Sequence, residues 1–132
     1  MGQAELDLKK QLCKSIQRGT GLDVKPGFLL PVNTLGIVED PGSNPVSTDM
    51  AGISTWKYNY SITFKTSDLA LANTKLQKIS DYLHGLNTLK SENGSFLFQS
   101  IEVSSAPNES MEDLKGVKTY SLAFTVIVMR RR

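Results

Sequence analysis

The chain has 132 residues, 39% of them hydrophobic and 21% charged, the composition of one ordinary globular domain and not of a disordered or membrane-embedded chain. A domain of this size buries roughly two thirds of its unfolded surface, and the single cysteine, Cys13, excludes an intrachain disulfide and fits a reducing compartment. Of the 15 basic residues, set against 13 acidic ones, Arg130, Arg131 and Arg132 supply three. The other twelve leave a net charge of −1, so the basicity reads as a property of the tail and not of a face.

Leu8, Leu12 and Ile16 are spaced by four, and Leu6 and Cys13 widen that stripe, which predicts a helix over residues 4–18 within an N-terminal helix region 1–25. Glu5 and Asp7 stand at its positive end, Lys14 and Arg18 at its negative end, and Gly19 and Gly21 stop it. Short apolar pieces follow at 28–32 and 35–38, and Pro31 confines the first to a sheet edge. Residues 39–54 hold Pro41, Gly42, Pro45 and Gly52 among Ser, Thr, Asn and Asp. They read as a flexible loop, of a length that in so small a domain signals function or mobility.

Trp56, Tyr58, Tyr60, Ile62 and Phe64 alternate with polar residues, which predicts a half-buried strand over 55–66. Ser67 or Asp68 is placed to cap the next helix. Its stripe, Leu69, Ala72, Leu76, Ile79, Leu83 and Leu86, carries it to residue 89, a length of about 30 Å, weakened near its end by Gly85. Asn93-Gly94 supplies a turn before a strand over 96–103. A second loop, 104–118, holds Pro107, Gly116, Glu109, Glu112 and Asp113.

The last strand, 119–129, carries Tyr120, Leu122, Phe124, Val126 and Val128 on one face, and Ser121, Ala123, Thr125, Ile127 and Met129 on the other. So apolar a strand belongs in the middle of a sheet or beneath a second partner. The strands flanking the long helix are expected to be parallel and the last two to form an antiparallel hairpin. The expected fold is α+β: a single domain, 1–132, whose mixed β-sheet has the N-terminal helix and one long central helix packed on one face. Residues 55–129 form its β-α-β-β core and 130–132 a basic tail.

Little in the chain points to bond-making chemistry. His84 lies beside the helix stripe, and a lone His with a lone Cys makes no zinc set. Cys13, on an apolar flank, reads as a small hydrophobe without an activating base. Gly19-Thr20-Gly21 lacks the third glycine of a dinucleotide loop and follows a helix, not a strand. Glu39-Asp40 and Glu112-Asp113 read as solvated loop carboxylates. Trp56, Tyr58 and Tyr60 are offered to the core before they are offered to bases. No cofactor, metal or specific nucleic acid is expected. The N-terminus lacks the order of a signal peptide, and no apolar run approaches the roughly 18 residues of a membrane span.

The strand Trp56-Lys57-Tyr58-Asn59-Tyr60-Ser61-Ile62-Thr63-Phe64, the helix string Leu76-Gln77-Lys78-Ile79-Ser80-Asp81-Tyr82-Leu83, the turn Ser91-Glu92-Asn93-Gly94-Ser95-Phe96-Leu97-Phe98, the proline loop at Pro107 and the closing strand together resemble a family of bacteriophage minor capsid proteins. These are similar in layout to tail-terminator or tail-completion proteins of the head–tail joint. The resemblance covers about the last three fifths of the chain and carries no functional residue with it.

It implies a non-enzymatic virion protein, present in the host cytoplasm during assembly. Such a protein forms a ring with copies of itself, commonly six, between tail-tube and head-connector proteins. The two long loops and the doubly apolar last strand then nominate Asp40, Ser43, Asn44, Asp49, Met50, Glu112, Asp113, Ile127, Met129, Arg130 and Arg131 as interface residues. Two readings from other classes stand beside this one. The first is a small ligand- or nucleotide-binding enzyme subunit with its site between the loops. The second is a single-stranded nucleic-acid module using the tyrosine face and the arginine tail.

Overall fold

A computed structural model describes residues 7–27, 32–40, 44–48, 53–92, 94, 96–104, 108–112 and 116–131. In chain order its elements are α1 (Leu8–Thr20), β1 (Val24–Pro26), β2 (Leu35–Glu39), β3 (Asn44–Thr48), β4 (Ile53–Thr66), α2 (Leu69–His84), β5 (Leu97–Val103), β6 (Asn108–Glu112) and β7 (Lys118–Arg131). They form one mixed sheet with two helices, an α+β domain as the sequence predicts.

The two helices begin and end for different reasons. At the start of α2, Asp68 Oδ1 accepts a hydrogen bond from the Leu71 N–H at 3.1 Å, satisfying one of the backbone donors that a first turn leaves free. α1 ends at Gly21, whose left-handed φ of 76° turns its N–H onto the Gln17 carbonyl at 2.8 Å. α2 stops at His84 and not at residue 89 as its stripe suggests. The chain leaves the helix at Gly85 and folds back, so Leu86 and Leu89 still reach the core from outside it.

The sheet is built on a seam. β4 and β7, of fourteen residues each, pair antiparallel along their whole length, from Ile53↔Arg131 to Thr66↔Lys118. β2 and β3 lie end to end along the other side of β4. β5 and β6 lie end to end along the other side of β7, and β1 adds a parallel strand beyond β2. β4 and β5 point the same way, as expected of strands flanking a helix, but β7 lies between them.

One sheet face is covered. Tyr60, Ile62, Phe64, Leu122, Phe124, Val126 and Val128 meet Leu8, Leu12, Ile16, Leu76, Ile79 and Leu83 in one core, each large side chain contributing about 1.5–3 kcal/mol on full burial.

Three expectations change. The loop 39–54 contains β3 and the first residues of β4, and the loop 104–118 contains β6, so the expected hairpin of the last two strands is interrupted by a further strand. An edge strand pairs on one side only and tolerates Pro45 and polar residues, which hides it from a reading based on alternation. The tail is likewise part of the sheet, since β7 continues through Arg130 to Arg131. The piece anticipated at 28–32 lies outside the described residues except for Val32, which is exposed.

Candidate assembly surfaces

The uncovered face of the sheet is set by the same period of two that fills the core. Its centre is hydroxyl-rich, with Thr55, Ser61, Thr63, Thr119, Ser121 and Thr125 half-buried. One end is apolar. Ile127 and Met129 on β7 stand in register with Ser100 and Leu97 of β5, and Met129 also faces Thr55 beside Ile53. Leu97 is 62% exposed, the most of any large hydrophobic side chain among the described residues. Ile53, Gly94, Leu97, Met129 and Arg130 line a shallow groove of about 430 Å³ there. Sequence reading found Ile127 and Met129 but missed Ile53 and Leu97. The irregularity between Phe98 and Ser100 breaks the alternation of β5, so Leu97 counts as core in a strict period of two.

The other predicted residues fall in separate places. Arg130, half-buried, borders that groove while its guanidinium reaches the aromatic residues of β4, Nη1 donating to the Tyr58 hydroxyl at 2.7 Å and the group lying 5.6 Å from the Trp56 ring centre. Below it the rings of Trp56, Tyr58, Tyr60 and Phe124 stack at centre distances of 5.8, 6.4 and 5.7 Å. Asp40 sits where β2 gives way to β3, its N–H on the Asn59 carbonyl and its carboxylate accepting from the Ser61 hydroxyl. Across the seam, Thr125 Oγ1 donates to Asn59 Oδ1 at 2.9 Å. Asn44 and Glu112 begin β3 and end β6, in register with Lys57 and Lys118 on opposite sides of the sheet. Arg131 pairs with Ile53. Ser43, Asp49, Met50 and Asp113 lie outside the described residues.

The charge pattern also corrects the sequence reading. α1 carries Lys9, Lys10, Lys14 and Arg18 with no acidic residue, so basicity does form a face, tempered by Lys14 Nζ at 2.7 Å from Glu92 Oε1. That contact holds the Glu92 carboxyl below its usual range. Asp7, at the start of α1, also ties the helix down, accepting from the Ser91 hydroxyl at 2.7 Å and the Glu92 N–H at 2.9 Å.

His84 is exposed at the end of α2. Cys13 is half-buried, and its thiol is pushed up to about 11 by burial, against the pull of Lys9. Tyr58 and Tyr60 are 5% and 1% exposed, beneath the helices and out of reach of a stacked base. Among the described residues no three His, Cys, Asp or Glu side chains come together, and no helix is long and apolar enough to cross a membrane. Compared with known proteins, the chain matches no family model and no curated protein.

Proposed function

We propose that the chain is a bacteriophage virion subunit, a minor capsid protein of the tail-terminator kind, which assembles with copies of itself into a ring at the tail end or head–tail junction. The observation that carries the reading is the apolar end of the open sheet face. Leu97 of β5 is presented together with Ile127 and Met129 of β7, where the two strands pair at the end of the sheet. A contiguous apolar patch on a soluble domain marks a contact surface. A ring closes through heterologous contacts, in which one flank of a subunit meets a different surface of the next, and this patch would serve as one of those two surfaces. Tail-tube and head-connector proteins are then its neighbours above and below.

Two substitutions one residue apart test this. Val126 points into the core and is fully buried, whereas Ile127 points to the open face. Val126→Asp is expected to cost about 3 kcal/mol or more and to unfold the protein. Ile127→Asp is expected to shift the urea midpoint by no more than about 1 kcal/mol while abolishing rings seen by electron microscopy on isolated tail tubes. Rings that form normally with Ile127→Asp, or a protein that never oligomerises on tail tubes, would sink the proposal.

A further inference from the structure

The two halves of the fold repeat each other in register. A displacement of 64 positions, the distance from Ile37 to Ile101, carries the pair Ile37↔Ile62 onto Ile101↔Val126 and Glu39↔Tyr60 onto Val103↔Phe124. The same step carries Asn44↔Lys57 onto Asn108↔Ser121 and Thr48↔Ser54 onto Glu112↔Lys118. It even reproduces a defect, for the irregularity between Pro45 and Ser47 recurs between Glu109 and Met111. A bulge is a specific local feature, and its recurrence at one spacing is not a property of β-sheets in general. Only Leu35 departs, displaced by one where β5 has its own irregularity at Gln99.

The helices obey the same step. Leu8, Leu12, Ser15 and Ile16, four of the six buried positions of α1, map onto Ala72, Leu76, Ile79 and Ser80, four of the five of α2, and the capping Gly21 maps onto the capping Gly85. In the sequence, Leu22 and Leu86, Asn44 and Asn108, and Gly52 and Gly116 are identical pairs at this spacing.

Because β4 and β7 are antiparallel, the step is a rotation about a two-fold axis. It exchanges Trp56↔Val128 with Phe64↔Tyr120 and leaves Tyr60↔Phe124 in place, so the axis passes between those two stacked rings. The helix layer agrees. Tyr82 is the counterpart of Arg18, and its hydroxyl lies 2.6 Å from Ser15 Oγ while its ring crowds Gly19. A residue thus meets the neighbours of its own counterpart, as in the contact of two identical subunits about a dyad.

We infer that the chain is two copies of one unit of a helix and three strands, residues 8–66 and 72–130, joined in tandem. The β4–β7 seam and the α1–α2 contact are then a homodimer interface held within one polypeptide, and the partner this surface fits is a second copy of the unit. The copies differ at their outer edges: β1 covers β2 in the first, whereas among the described residues the second has the bridge Lys90↔Leu97 in its place. Ile37 is fully buried and its counterpart Ile101 is not. This inference does not depend on the ring reading.

A circular permutant tests it. Thr66 reaches Ala72 through five residues, so Arg130 should reach Leu8 through five as well. A chain that starts at Ser67, runs from Arg132 directly into Glu5 and ends at Thr66 has that length. It is expected to unfold cooperatively with a midpoint within about 5 °C of the parent's. Six Gly/Ser residues added to the join should move that midpoint by no more than about 3 °C. A permutant that folds only with the longer join, or with neither, overturns the inference.

Discussion

A methyl group on Gly19 would lie 2.0 Å from Cε1 of Tyr82, so glycine is kept there by the close approach of a ring and not by its own backbone angles. Alanine at an ordinary helical site would gain about 1 kcal/mol. Here the overpacking of a helix contact, typically about 1–3 kcal/mol, opposes that gain, and the Ser15–Tyr82 hydrogen bond is lost as the ring moves. Gly19→Ala is therefore expected to lower the urea midpoint, and the loss should vanish in a Tyr82→Ala background.

Titration has a sign that can be checked as well. Burial raises the folded-state values of the Cys13 thiol, from 9.0 to about 11, and of the Tyr58 and Tyr60 hydroxyls. A raised value favours the protonated form in the folded state, so that stability is complete below pH 9 and is lost as pH climbs through about 11. Urea midpoints should be flat from pH 7 to 8.5 and fall above pH 9. Alkylation of Cys13 at pH 8 should be slow until the protein is denatured.

At the scale of elements, Asp68→Ala removes the oxygen that caps α2 and is expected to cost about 1 kcal/mol, read as a drop in the thermal midpoint. Where an element is sealed on one face and open on the other, its pattern is legible in the sequence. Tyr58 to Phe64 and Tyr120 to Val128 alternate because one face of each strand is sealed by helices, and Leu8, Leu12 and Ile16 recur because a helix buries one stripe. β3 and β6 were not legible, since a strand bonded along one side only needs neither alternation nor freedom from proline. The end of α2 was misread because Leu86 and Leu89 satisfy a helical period while reaching the core from a returning chain. The apolar end of the open face was half-legible. Ile127 and Met129 stood out on a doubly apolar strand, but Leu97 was hidden by a shift in register.

For the whole molecule, a two-fold arrangement fixes where stability resides, since opening the seam uncovers both units at once. The aromatic ladder gives that event a built-in optical signal. Trp56 is the sole indole of the chain, and Tyr58 and Tyr60 lead from it in three short steps to Phe124 on the axis. At such separations the excitation of a phenol passes to the indole before it can be emitted. In the native protein, excited where tyrosine absorbs, Tyr58 and Tyr60 should therefore emit through Trp56. All three rings stand on β4, so this transfer outlasts separation of β4 from β7. Opening of the seam should show instead as a red shift of the indole emission, as Val128 and Arg130 leave Trp56 and water reaches it.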